Sequence, residues 1–108
     1  MSEFLVLIAA EEKRALSPED EQKCLMSYGE WAQSLGNKHL SGKRLDLSEG
    51  QLLPSKSKLT TDGPFVEAKE LIAGIILLEA DSIQEAVRMA ETCPLRDYFQ
   101  LYVKPTLD

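Results

Sequence analysis

Histidine is almost missing from this chain, which holds one, and cysteine and tryptophan are scarce, with two and one. A single histidine and two cysteines far apart, Cys24 and Cys93, in neither a CxxC pair nor a Cys/His cluster, signal no metal site. The two cysteines fall at apolar positions of helical patterns, which suits two reduced, buried thiols of a cytoplasmic protein. Long apolar runs are lacking too. Phe4 to Ala10 and Leu71 to Leu78 are the longest, far short of a bilayer span, and Glu3 stands where a signal peptide carries a cation. A soluble, unexported chain is expected, with no membrane partner. Basic residues are outnumbered, 12 Lys and Arg against 18 Asp and Glu for a net charge of -6, and they form no stripe, which argues against nucleic acid. Nothing resembles a phosphate-binding glycine loop or a nucleophile elbow, so neither cofactor nor metal is expected.

What is present fits one domain over residues 1–108, a length that buries a modest core unaided. Phe4-Leu5-Val6-Leu7-Ile8 is a short apolar run of strand formers, ended by Glu11-Glu12-Lys13-Arg14. Ser17-Pro18-Glu19-Asp20 opens a helix with a cap, an N1 proline and first-turn acids. Cys24, Leu25, Tyr28, Ala32 and Leu35 then recur at helical spacing, and Gly36-Asn37 supplies the stop. Lys38 to Leu45 alternates loosely as an edge strand, with Gly42 marking a bulge or a close approach. Ser48 to Ser57 is loop with a short strand at Gln51 to Leu53, and Lys58 to Thr60 pairs back as a hairpin arm. Leu71 to Leu78 is the strongest strand. Ser82 and Glu85 form a capping box for a second helix with Ile83, Ala86, Val87, Ala90 and Cys93 inward, ended by Pro94. Tyr98 to Lys104 alternates, with Phe99, Leu101 and Val103 inward.

Two β-α-β halves with two helices predict a ferredoxin-like α+β sandwich, an antiparallel sheet with both helices on one face. The first strand and the Leu71 to Leu78 strand, central in that topology, are apolar on both parities, although an uncovered face should be polar. Each bulky side chain left wet forgoes about 1.5–3 kcal/mol, which over several is comparable to the ~5–15 kcal/mol stability of a domain. A second copy, sheet on sheet, covers them and predicts a homodimer, a dimeric α/β barrel.

The segment TTDGPFVEAKE, Thr60 to Glu70, is read bottom-up as a turn: glycine before proline reverses the chain and Asp62 reaches amides two residues on. TDGPFVEAKE also resembles the signature of the YCII-related, DGPF-domain family of small bacterial proteins. Tyr28-Gly29-Glu30-Trp31, Leu40-Ser41-Gly42, Arg44-Leu45, Ala86 to Cys93-Pro94 and Val103-Lys104-Pro105 match that pattern in order. The resemblance implies a dimeric α/β barrel with a polar cleft beside it, in a family whose activity is largely unassigned. The family's Gly-Gly step before the last strand is here Arg96-Asp97-Tyr98-Phe99, and its final Arg-Pro is Lys104-Pro105, departures that touch any ligand contact made by that strand.

His39, titrating near neutrality unassisted, is the candidate base, with Asp62 as the carboxylate that fixes its tautomer or as the acid. Glu67 and Lys69 share one face of an extended stretch; they are a solvated ion pair or a ligand contact in which Lys69 holds an anion. Phe65 and Tyr28 complete the candidate ligand wall, Tyr28 and Trp31 also being suited to the core. Two functions stay open: a cofactor-free acid/base enzyme acting on a small, anionic molecule, or a small-molecule-binding or regulatory homodimeric module without catalysis.

Overall fold

A computed structural model describes residues 1–10, 16–47, 49–51, 53, 55–56 and 71–107. Along β1 (Ser2–Ala9), Phe4, Val6 and Ile8 are buried and Leu5, Leu7 and Ala9 half-buried, the period-two pattern of a strand with one face fully covered. Helix α1 (Pro18–Leu35) begins where Ser17 Oγ accepts the Asp20 N–H at 3.1 Å. It stops at Gly36, whose φ of 58° lies in the left-handed region open to glycine, and a 3-10 turn, Gly36–Lys38, leads into β2 (His39–Arg44). The central β3 (Ile72–Ala80) is followed by α2 (Ile83–Glu91). The capping box forms as expected: Ser82 Oγ accepts the Glu85 N–H at 3.1 Å and Glu85 Oε1 accepts the Asp81 N–H at 2.9 Å. The backbone bond lowers the Glu85 pKa.

Among the described residues four strands run β2-β3-β1-β4, each antiparallel to its neighbours, with β4 spanning Gln100–Pro105. Buried residues of β1 and β3 meet Trp31 of α1 in one cluster and Ala86 of α2 in a second, with Met89 packed against both, so α1 and α2 cover the same face. This is the ferredoxin-like α+β sandwich the pattern predicts. Trp31 pins the two helices together, its Nε1–H donating to Thr92 Oγ1 at 3.0 Å and to the Met89 carbonyl at 3.3 Å. On the opposite face Leu5 stands across from Leu77, and Leu7 from Ile75. All four are half-buried. Lys104 and Tyr102 flank them on β4.

The boundaries differ from expectation at both sides of Pro94. The second helix ends at Glu91 with Thr92 as its cap, and Cys93 is extended, because the residue before a proline is driven out of helical conformation. Cys93 is nonetheless buried. Pro94–Asp97 is a 3-10 turn, and the Tyr98 and Phe99 amides bond to the Leu95 carbonyl, so β4 starts only at Gln100. Within the expected loop, residues 49–51, 53, 55 and 56 carry no strand. Leu52 and the Lys58 to Thr60 arm lie outside the described residues.

Candidate functional site

Strand β2 lies at the edge of the sheet with α1 crossing beside it, and one irregularity decides which of its side chains meet the helix. The register of β2 against β3 shifts between His39 and Ser41, pairing His39 with Leu78, Gly42 with Ile76 and Arg44 with Gly74. Leu78, Ile76 and Gly74 are the buried, helix-facing positions of β3. Without the shift His39 and Gly42, three apart, would face opposite sides. With it, His39, Gly42 and Arg44 all face α1.

Tyr28 of α1 reaches down to this row. Its Oη and His39 Nε2 are hydrogen-bonded at 2.5 Å. A Cβ at Gly42 would collide with the Tyr28 hydroxyl, so the glycine is the close approach expected of it. The Tyr28 and His39 rings meet edge-on at 5.6 Å between centroids, and Trp31 stands perpendicular to His39 at 6.1 Å. Burial, with a smaller contribution from Cys93, raises the Tyr28 pKa, which keeps the phenol protonated and able to donate.

Beside this pair opens a cleft of about 970 Å³. Ile8, Leu25, Ile76, Leu95 and Phe99 give it apolar walls, and Tyr28 lines it while His39 does not. His39 therefore addresses the cleft through the phenol. Polar groups gather where the end of β2 meets the first turn of α1: Glu21, Lys43, Arg44 and Asp46 line the cleft there, and Arg44 Nη2 donates to Glu21 Oε1 at 2.5 Å. Cys24 also lines the wall, its thiol pKa raised chiefly by burial. Among the described residues no group of three or more His, Cys, Asp or Glu could hold a metal ion.

Of the residues expected at the site, Tyr28 and His39 are brought into direct contact. Asp62, Phe65, Glu67 and Lys69 lie outside the described residues. Arg44, Glu21 and the seating of Tyr28 on Gly42 were not anticipated. Alternation along β2 would have put Gly42 and Arg44 on one face, but only the crossing of α1 identifies what they meet.

Residues 3–103 match the family model of the YCII-related domain. No curated protein matches the sequence. Among solved structures the chain is similar to the 5-chloro-2-hydroxyhydroquinone dehydrochlorinase TftG from Burkholderia phenoliruptrix AC1100, in complex with 2,5-dihydroxybenzoquinone. That likeness has a TM-score of 0.58 at 16% identity, covering 94% of this chain and 90% of the other, and it shows a shared fold.

Proposed function

The chain belongs to the YCII-related domain family, and from that premise we propose that it is an acid/base enzyme whose proton-transfer group is the Tyr28–His39 pair, acting on a small molecule held in the cleft. The observation that carries this reading is the 2.5 Å bond from a cleft-lining phenol to the chain's single histidine. With the phenol donating to Nε2 of a neutral imidazole, the Tyr28 oxygen has lone pairs left for the ligand. A ligand O–H gives its proton to Tyr28 Oη as the Tyr28 proton passes to His39 Nε2, leaving the phenol neutral and the imidazole charged. Return of that proton to a different ligand atom completes a net isomerisation. The fold shared with a dehydrochlorinase solved in complex with 2,5-dihydroxybenzoquinone is compatible with a small ring in such a cleft. Asp62, Glu67 and Lys69 remain candidate partners of the same site.

A panel of small hydroxylated and carboxylated aromatics, screened by thermal shift, tests the reading. An enzyme loses turnover in Tyr28→Phe while affinity stays within about threefold, because an interaction made in the transition state is removed. Loss of affinity instead would favour the binding module. If no compound stabilises the protein and Tyr28→Phe and His39→Ala leave every property unchanged, the reading falls.

In this proposal the protein works as a homodimer in the cytoplasm. The face carrying Leu5, Leu7, Ile75 and Leu77 supports a second copy as its cover, and two free thiols, Cys24 and Cys93, suit a reducing compartment.

A further inference from the structure

We infer that the ligand of this cleft carries a carboxylate, with Arg44 as its partner and Glu21 as a built-in competitor for the same guanidinium. The inference rests on the reading of the cleft as the functional site. Two polar features of the cleft are the Tyr28 hydroxyl over Gly42 and the Arg44–Glu21 pair where β2 meets α1, with Lys43 and Asp46 also in the lining. Gly42 and Arg44 face the same side of β2, two residues and so about 7 Å apart along the strand. That spacing suits a compact apolar body, a single ring or a short chain, with a hydroxyl at one end and an acid at the other.

Arg44 is suited to the acid end. Its side chain is 68% exposed and gives Glu21 one contact, from Nη2, at the edge of the cleft. A guanidinium carries five donors arranged for a planar, two-point grip on a carboxylate. Glu21, 46% exposed on the first turn of α1, holds that fork in place and presents to it the same chemical group the ligand would bring. An incoming carboxylate replaces one oxyanion with another of equal charge, while a neutral ligand leaves the pair undisturbed. The arrangement therefore selects for an acid and taxes its affinity at once. Lys43 and Asp46, also lining the cleft, bring one charge of each sign.

Calorimetric titration of the intact protein with 4-hydroxybenzoate and with its neutral isostere 4-hydroxybenzamide tests this. The acid should bind more tightly than the amide. Arg44→Gln should cut acid affinity by about tenfold and leave the amide within about twofold, since a hydrogen bond to a charged group is worth more than a neutral one. Glu21→Gln should move the acid the other way, tightening it by about threefold or more. The opposed signs separate recognition from general damage to the fold. Amide-resonance shifts at Tyr28, Gly42 and Leu45 should locate the acid in the cleft. Equal affinities for acid and amide, unmoved by either substitution, overturn the carboxylate inference and leave the cleft reading intact. Binding of neither compound overturns the inference, and the cleft reading falls with it only if the wider panel also finds no ligand.

Discussion

The Tyr28 hydroxyl occupies the space in which a side chain on Gly42 would begin. One glycine on the edge strand therefore lets a helix residue reach His39, eleven positions along the chain. In Gly42→Ala the obstacle is the tip of a side chain rather than backbone, so the phenol should swing aside and β2 keep its course. The bond to His39 is then lost, at about 0.5–1.5 kcal/mol. The His39 imidazole resonances and any turnover should change as they do in Tyr28→Phe. A Gly42→Ala protein whose His39 signals match the wild type would show that the glycine does not seat the phenol.

Stability should fall in alkali because of Cys93. Burial is the leading cause that pushes this thiol from an ordinary 9.0 up to about 11. Between those two values the unfolded chain has lost a proton that the folded chain keeps, so stability declines as pH rises through the window and levels off above it. Two pKa units correspond to roughly 2–3 kcal/mol. Cys24 is raised in the same direction, as are Tyr28 and Tyr98 above their ordinary 10.0. Urea midpoints for the wild type and Cys93→Ala from pH 8 to 11 isolate the Cys93 share. The variant should start lower and slope less, and equal slopes would refute the assignment.

Local signals were legible in the sequence, and crossings were not. Ser17 and Ser82 cap their helices as the cap-and-acid pattern predicts, and the two runs that are apolar on both parities are the central strands β1 and β3. Helix periodicity puts Leu25 in the inward stripe, yet it is 45% exposed at the cleft, while Trp31, outside that stripe but read as suited to the core, is buried at 7%. A narrow stripe shifts by one residue according to what the helix lies on, and only the tertiary contact with Thr92 and Met89 decides that. His39 was legible as a candidate site residue, while Asp62, its expected partner, lies outside the described residues. The observed partner, Tyr28, becomes a neighbour through a register shift in β2 and the path of α1, neither of which residue spacing encodes.

The indole of Trp31 makes a local test of the core. Thr92→Val keeps the shape of the side chain and removes the acceptor 3.0 Å from Nε1, leaving the Met89 carbonyl at 3.3 Å as the indole's remaining bond. Because that second acceptor stays, the cost should be about 1 kcal/mol rather than that of an unsatisfied buried donor. Chemical denaturation followed by Trp31 fluorescence reads it directly. A loss above ~3 kcal/mol would mean that the Met89 contact alone does not satisfy the ring.

Leu7 on the open sheet face tests the dimer. It faces Ile75 on β3 and Tyr102 on β4, and is half-buried within one chain. With Leu5 and Leu77 it forms a patch whose burial by a second copy would add a fraction of the ~1.5–3 kcal/mol each that full transfer from water gives. Lysine there should disfavour association without disturbing the helix-covered core. The wild type should sediment at twice the mass of one chain at micromolar concentration, and Leu7→Lys at the mass of one, with its far-ultraviolet circular dichroism unchanged. Thermal stability of the wild type should rise with protein concentration and that of the variant should not. A wild-type monomer at these concentrations would remove the second copy as the cover, since mass action ties the energy of the patch to the assembly that buries it.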